Sequence, residues 1–267
     1  MTMTHDAVPR QEHPSAEGID MVEQTQPDST LPHRPYRGVL AVQVIALVLL
    51  VGASLLGQFA LFLEVPLCVA AMAAFTIFWP FRGTWTDRVL GVLAGLISLV
   101  FALNALGSGT LYPSLNANDA LTIAATPLIH WACVYVMLLA LFTVIGFARQ
   151  MARKERTDLL RSLSQSLTGV VAMASMPGWL FVVVSASCVA FAGPGTWAAI
   201  VVSVIALALM VLMVIASRFW LKDFDPDPAV PAPWVGIALL PVMLLGLVAF
   251  AATLALLLCQ YGPIFVD

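Results

Sequence analysis

Few residues of this chain carry reactive chemistry, and they are scattered. His130 is the only histidine beyond residue 33, and the groups with which it could share a proton or a hydrogen bond are Glu64, Asp119 and Asn104, all distant in sequence. A lone imidazole suits anchoring, hydrogen bonding or general acid–base work. It does not suit a catalytic zinc, which takes three protein ligands and an open position, so no metal or cofactor is expected. Ser108 is the nucleophile that His130 would activate in a hydrolase, but the sequence Leu106-Gly107-Ser108-Gly109 lacks the preceding glycine expected of an intramembrane serine protease. A retinal Schiff base needs a lysine in the last apolar stretch, and none is there.

Proline within apolar stretches is the more informative signal. Pro177-Gly178 and Pro241 each interrupt a run of apolar residues about two helical turns from its charged end. Discontinuous helices of this kind expose backbone carbonyls that can bind ions or substrates at mid-membrane depth. The competing reading is a pair of packing kinks whose freed carbonyls are satisfied by neighbours, with Ser175 placed to satisfy one of them. With Asn104 and His130, these prolines and Gly178 form the candidate polar or transport site. Gly91 and Gly95, one turn apart, are the candidate helix-packing site, because paired small residues let another helix approach closely. Gln43, Gln58, Asn104, Ser185 and Ser187 can hydrogen-bond between helices.

The elements that must hold these residues are membrane-spanning helices. The chain of 267 residues is 61% hydrophobic and 10% charged, against roughly 25% charged in a soluble domain. A hydrocarbon core needs about 20 apolar residues in helical form, which predicts spans near 39–62, 66–81, 89–106, 128–147, 169–192, 197–217 and 235–260. The first interval between arginines, Arg37 to Arg82, would make a helix roughly 66 Å long at about 1.5 Å per residue, so it must fold back. Leu63-Glu64-Val65-Pro66 is the expected corner, because proline and an acid both favour a helix start. Gly107 to Pro127 forms the longest expected loop, and Gly193-Pro194-Gly195 a tight turn.

All twelve Lys and Arg residues fall on one side of this arrangement. The excess of basic residues on the cytoplasmic side puts the N-terminus inside and the C-terminus outside. The most basic stretch, Arg149, Arg153, Lys154, Arg156 and Arg161, lies between the fourth and fifth spans and is expected to follow the lipid headgroups. Residues 1–37 hold five prolines, six acids and three arginines, too polar to offset ordering entropy, and form a disordered cytoplasmic tail preceding the membrane domain 38–267. Trp79, Trp85, Trp131, Trp197, Trp220 and Trp234 fall near span ends, as aromatic belts do. Cys68, Cys133, Cys188 and Cys259 lack metal or redox spacing. Asp223, Asp225 and Asp227 lack the glycine of a calcium loop and are broken up by Pro226 and Pro228.

The expected fold is therefore all-α, a polytopic bundle of about seven transmembrane helices. The leading expectation for function is a non-catalytic integral membrane protein that associates with itself or a membrane partner. The alternative is a transporter or permease subunit for a small solute or lipid, lined by spans five and seven. A membrane enzyme with an outward site at His130 is a minor third. Membrane lipids are the surroundings in each case, a bacterial plasma membrane is the expected location, and nothing points to nucleic acid.

Overall fold

The computed structural model describes residues 35–56, 59–81, 85–107, 117–152, 159–190, 196–222 and 230–261. Among them the chain is helical, with no strand: α1 (Pro35–Ser54), α2 (Ala60–Ile77), α3 (Trp85–Gly107), α4 (Ala117–Met151), α5 (Leu159–Ser175), a 3-10 segment (Met176–Phe181), α6 (Val182–Ala190), α7 (Thr196–Lys222) and α8 (Pro233–Tyr261). Seven of these units are long and apolar enough to cross a membrane, with α5, the 3-10 segment and α6 together making the fifth. Helix is the natural form for such residues, since each backbone group then finds its partner within the segment.

Two corners differ from expectation. The first reversal falls between the end of α1 at Ser54 and the start of α2 at Ala60, not at 63–66. Pro66 sits inside α2, where it removes one backbone bond, a loss membrane helices tolerate. Glu64 is consequently inside the helix and not on a loop. The second difference is α4, which begins at Ala117 and carries Pro127 internally, so residues 117–127 of the expected loop are helix. Residues 108–116 lie outside the described set. So do the expected tail up to residue 34, Gln58, Gly193-Pro194-Gly195 and the aspartates at 223, 225 and 227.

The fifth span is the centre of the bundle. Within 163–186, 78% of residues are buried, against 50% for the window in α8 and 39% or less for the others. α8 lies alongside it in parallel, as the pairs Trp179–Val242 and Phe181–Thr253 show. The two approach backbone to backbone. A Cβ on Gly178 would stand 2.1 Å from Gly246 O, and one on Gly246 would stand 2.1 Å from Ser175 O. α3 runs parallel to α5, and α4 runs antiparallel to both, as Ser98–Trp131 and Tyr135–Ser175 require. α2 closes the bundle beside α1 and α8, with Gly236 under Phe78 O.

Aromatic side chains fill two places. Trp131, Tyr135, Phe181 and Phe250 interlock around the broken span, with Trp131 and Phe250 centroids 4.6 Å apart. Phe75, Trp79 and Phe81 pack edge to face at the end of the bundle where α1 begins. Trp79 and Trp131 are thus core residues, contrary to the interfacial positions expected from their place in the sequence. Trp79 is drawn inward because Gly91 and Gly169 leave its ring room, and Trp131 because Ser98 takes its indole N–H at 3.1–3.2 Å. Trp85 and Trp197 are exposed near helix starts, and the Trp220 side chain lies outside the described residues.

The glycine crossing is testable by comparison with a glycine that touches nothing. Gly178→Ala and Gly246→Ala each force a methyl into a backbone carbonyl and are expected to lower stability by about 3 kcal/mol or more, at the upper end of overpacking penalties. Gly52→Ala, which meets nothing within 4 Å, should be neutral or slightly stabilising. Thermal unfolding of the three variants in one detergent checks the ranking.

Candidate functional site

Pro177 and Gly178 turn the chain from α-helix into 3-10 geometry, and the change leaves carbonyls without their usual helical donors. Side chains of the span itself and of its neighbours donate to carbonyls around the break. Ser175 Oγ donates to Val171 O at 2.6 Å and Ser98 Oγ from α3 to Ala174 O at 2.7 Å, while Thr253 Oγ1 of α8 shares its one proton between Ala249 O of its own helix at 2.9 Å and Phe181 O at 3.1 Å. Cys68 Sγ from α2 points at Met176 O at 3.9 Å. Ser175 has given its only proton to Val171 O, so Tyr135 is the donor in their 3.0 Å contact. Ser185 completes the set by bonding Thr253 Oγ1.

Pro241 lies in the facing turn of α8. Next to it, Trp179 Nε1 donates to Val242 O at 2.8 Å. The structure therefore brings Pro177, Gly178 and the Pro241 turn together, and all three residues are buried. Asn104 and His130 do not join them; both are exposed on the bundle surface. The Ser108 and Asp119 side chains lie outside the described residues, as does that of Ser187. Gly91 packs against Trp79, and Gly95 against Met72 and the Met173 carbonyl, so this pair lies at the junction of α2, α3 and α5.

Beside that junction a groove of about 320 Å³ opens between α2 and α3, lined by Val69, Met72, Ala73, Thr76, Val92 and Met173 among others. Its one hydroxyl, on Thr76, is spent on Met72 O at 2.8 Å. The groove is apolar and does not reach the prolines.

Charge is concentrated at the other end of α3. Asp87, in the first turn of α3, accepts from Arg149 Nη1 at 2.8 Å and from Ser166 Oγ at 3.1 Å. An acid at a helix start and a base at a helix end both complement the helix dipole, so the pair ties α3, α4 and α5 with favourable charge placement. Arg149, expected along the headgroups, instead turns back into the bundle with its side chain 32% exposed. Arg153, Lys154 and Arg156 lie outside the described residues, as does the Arg161 side chain.

Glu64 is the site residue that sequence reasoning misplaced. It lies on the buried stripe Ala60, Glu64, Cys68, Met72, Phe75 of α2, is 0% exposed, and neither carboxyl oxygen has a hydrogen-bond partner. The Ser54 hydroxyl stands beside it but gives its proton to Leu50 O at 2.8 Å. The spacing 60, 64, 68, 72 was available as a signal for one helical face. Among the described residues no three His, Cys, Asp or Glu side chains gather as metal ligands would, and Cys68, Cys133 and Cys259 are free.

The interior polar groups around the break thus act on the backbone. Ser98→Ala removes the donor to Ala174 O and an acceptor from Trp131, and is expected to cost about 1–2 kcal/mol. Arg149→Ala should cost about 1–3 kcal/mol, discounted for the exposed part of the guanidinium. Adding Asp87→Asn should recover part of that loss, which a double-mutant cycle of unfolding free energies reads directly. No protein-family model, curated protein or solved structure matches this chain, so a functional reading starts from this geometry alone.

Proposed function

We propose that the protein is a non-catalytic integral membrane protein, N-terminus cytoplasmic, that works by association through α7 with a second copy of itself or with a membrane partner. The observation that carries this reading is the contrast between α7 and the rest of the bundle. The window 199–216 has the highest mean hydropathy of the seven, 3.1, yet α7 leaves nearly all of its surface uncovered. It leans on α8 through a narrow stripe that includes Ala199, Met210 and Met213, while Val204, Ile205, Val211 and Leu212 face outward. A helix held along one side offers its remaining faces to another helix at the cost of lipid contacts alone.

Two further facts support it. The carbonyls at the fifth-span break, which motivated a transport path, accept donors from three other helices. His130, which motivated an enzyme, is exposed on the bundle surface, apart from the buried polar groups around the break. The orientation rests on the Lys and Arg distribution, and location in a bacterial plasma membrane belongs to the same reading.

Photo-crosslinkers placed at Ile205 and Leu212 of the full-length protein in cells are expected to give one discrete protein adduct each, of a second copy or of another chain. The same probe at Val136 and Val144, exposed positions on α4, should label lipid only. Adducts to lipid alone from α7, with the purified protein a monomer in bilayers, would remove the reading.

A further inference from the structure

Glu64 is the one carboxyl among the described residues that is fully buried and has no hydrogen-bond partner at either oxygen. Asp87, the other buried acid, has Arg149 and Ser166. An ionised carboxylate so placed would give up its hydration and gain no compensating donor, the costliest arrangement a side chain can adopt in an apolar interior. The neighbouring chemistry points the same way. Ser54 Oγ has committed its proton to Leu50 O, so toward Glu64 it can only accept, and a carboxyl can use such a neighbour only when it carries a proton itself.

Among the described residues, the elements packed on α2 bring no cation to compensate. These are α1, α3, the 3-10 segment and α8. The charged groups of α1 and α3, Arg37, Asp87 and Arg88, belong to the first turns of those helices, at the end of the bundle opposite Glu64. The 3-10 segment has no titratable residue. In α8 the described titratable side chain is Cys259, near its C-terminal end, and on α2 itself it is Cys68, one turn along the same face. Glu64 is also linked to the centre of the bundle, since Cys68 reaches the Met176 carbonyl at the start of the 3-10 segment.

We propose that Glu64 is a proton-binding site inside the bundle, occupied in the conformation described here and emptied when the Ser54 hydroxyl turns to it from Leu50 O. The proton is the ligand. On its departure the carboxylate needs a donor, and the Ser54 hydroxyl can provide one only by leaving Leu50 O, which exchanges a bond within α1 for one between α1 and α2. Proton binding and release would thereby switch the Ser54 hydroxyl between Leu50 O and Glu64. This proposal does not depend on partner association.

Infrared spectra of the full-length protein in lipid bilayers, wild type minus Glu64→Gln, test it. The expected result at neutral pH is a protonated-carboxyl C=O band, shifted in D2O and lost in the variant, that converts reversibly to a carboxylate band as pH rises while helix content is kept. A carboxylate band already present at neutral pH overturns the proposal, and so does an acid band that persists until the helices unfold. If Glu64→Gln does not fold, the wild-type protein decides through dicyclohexylcarbodiimide. This reagent enters bilayers and adds a protonated carboxyl across its C=N bond, rearranging to an N-acylurea with nothing lost. Peptide mapping that finds the adduct on Glu64 at neutral pH and its loss at alkaline pH supports the site; adducts confined to other carboxyls overturn it.

Discussion

The backbone of the fifth span cannot satisfy itself, and much of the bundle is arranged around that fact. Once Pro177 and Gly178 convert the helix to 3-10 geometry, carbonyls face an interior without water, where an unanswered polar group is expensive. Ser98 and Cys68 answer from α3 and α2, and Thr253 of α8 shares its proton between Phe181 O and Ala249 O. Each donor must lie at one depth and on one face of its helix, so the break fixes the register of three neighbours. The close approach of Gly178 and Gly246 does the same for α8 through sterics. A uniform helix in this position would have needed none of these partners.

This use of polar groups explains why so little chemistry is on offer elsewhere. Serine, threonine and tyrosine side chains in the core, with Trp131 and Trp179, are bound to the backbone or to one another, whereas the buried Trp79 Nε1 has no partner among the described residues; at the start of α3 Asp87 is bound to Arg149 and Ser166. Hydrogen bonds inside membranes are individually modest, yet here they act jointly because they converge on one segment. Glu64 stands outside this scheme. It interrupts an apolar stripe, has no hydrogen-bond partner, and connects to the break only through Cys68 one turn away. A group that adds nothing to packing and costs much to bury is kept for another reason or tolerated in its neutral form, and those alternatives differ in whether its proton can leave.

Hydropathy made the seven span-length units and the all-helical class legible, because it reports the medium a segment will tolerate. It did not report which side of a helix faces the protein. In water the core side is apolar and the other polar, so periodicity reveals the face; here lipid and core are equally apolar, and the signal vanishes. Hence Trp79 and Trp131, placed near span ends by the sequence, gave no sign that they are buried. Pro177 and Gly178 announced the break, but Gly246 and the donors Ser98, Cys68 and Thr253 are distant in sequence, and nothing local marks them. Glu64 was missed for a different reason. Pro66 was read as the first residue of a helix, and an acid just before it then fits a helix start; the same two residues inside α2 make a buried acid and a tolerated missing bond.

The two ends of this spectrum lie in consecutive spans. The fifth carries the turn-forming residues that weaken a helix, and its neighbours compensate with packing and hydrogen bonds on every side. The sixth is a continuous apolar helix that satisfies its own backbone and asks nothing of the bundle beyond a stripe against α8. A segment that is stable alone in lipid can be added to or withdrawn from a surface with little effect on the core, whereas a segment that depends on four neighbours cannot move without them. Any conformational change in this molecule must therefore either leave the fifth span and α8 together or dismantle both. The contact of Ser54 in α1 with Glu64 in α2 and the outer faces of α7 are the places where change is compatible with an intact centre.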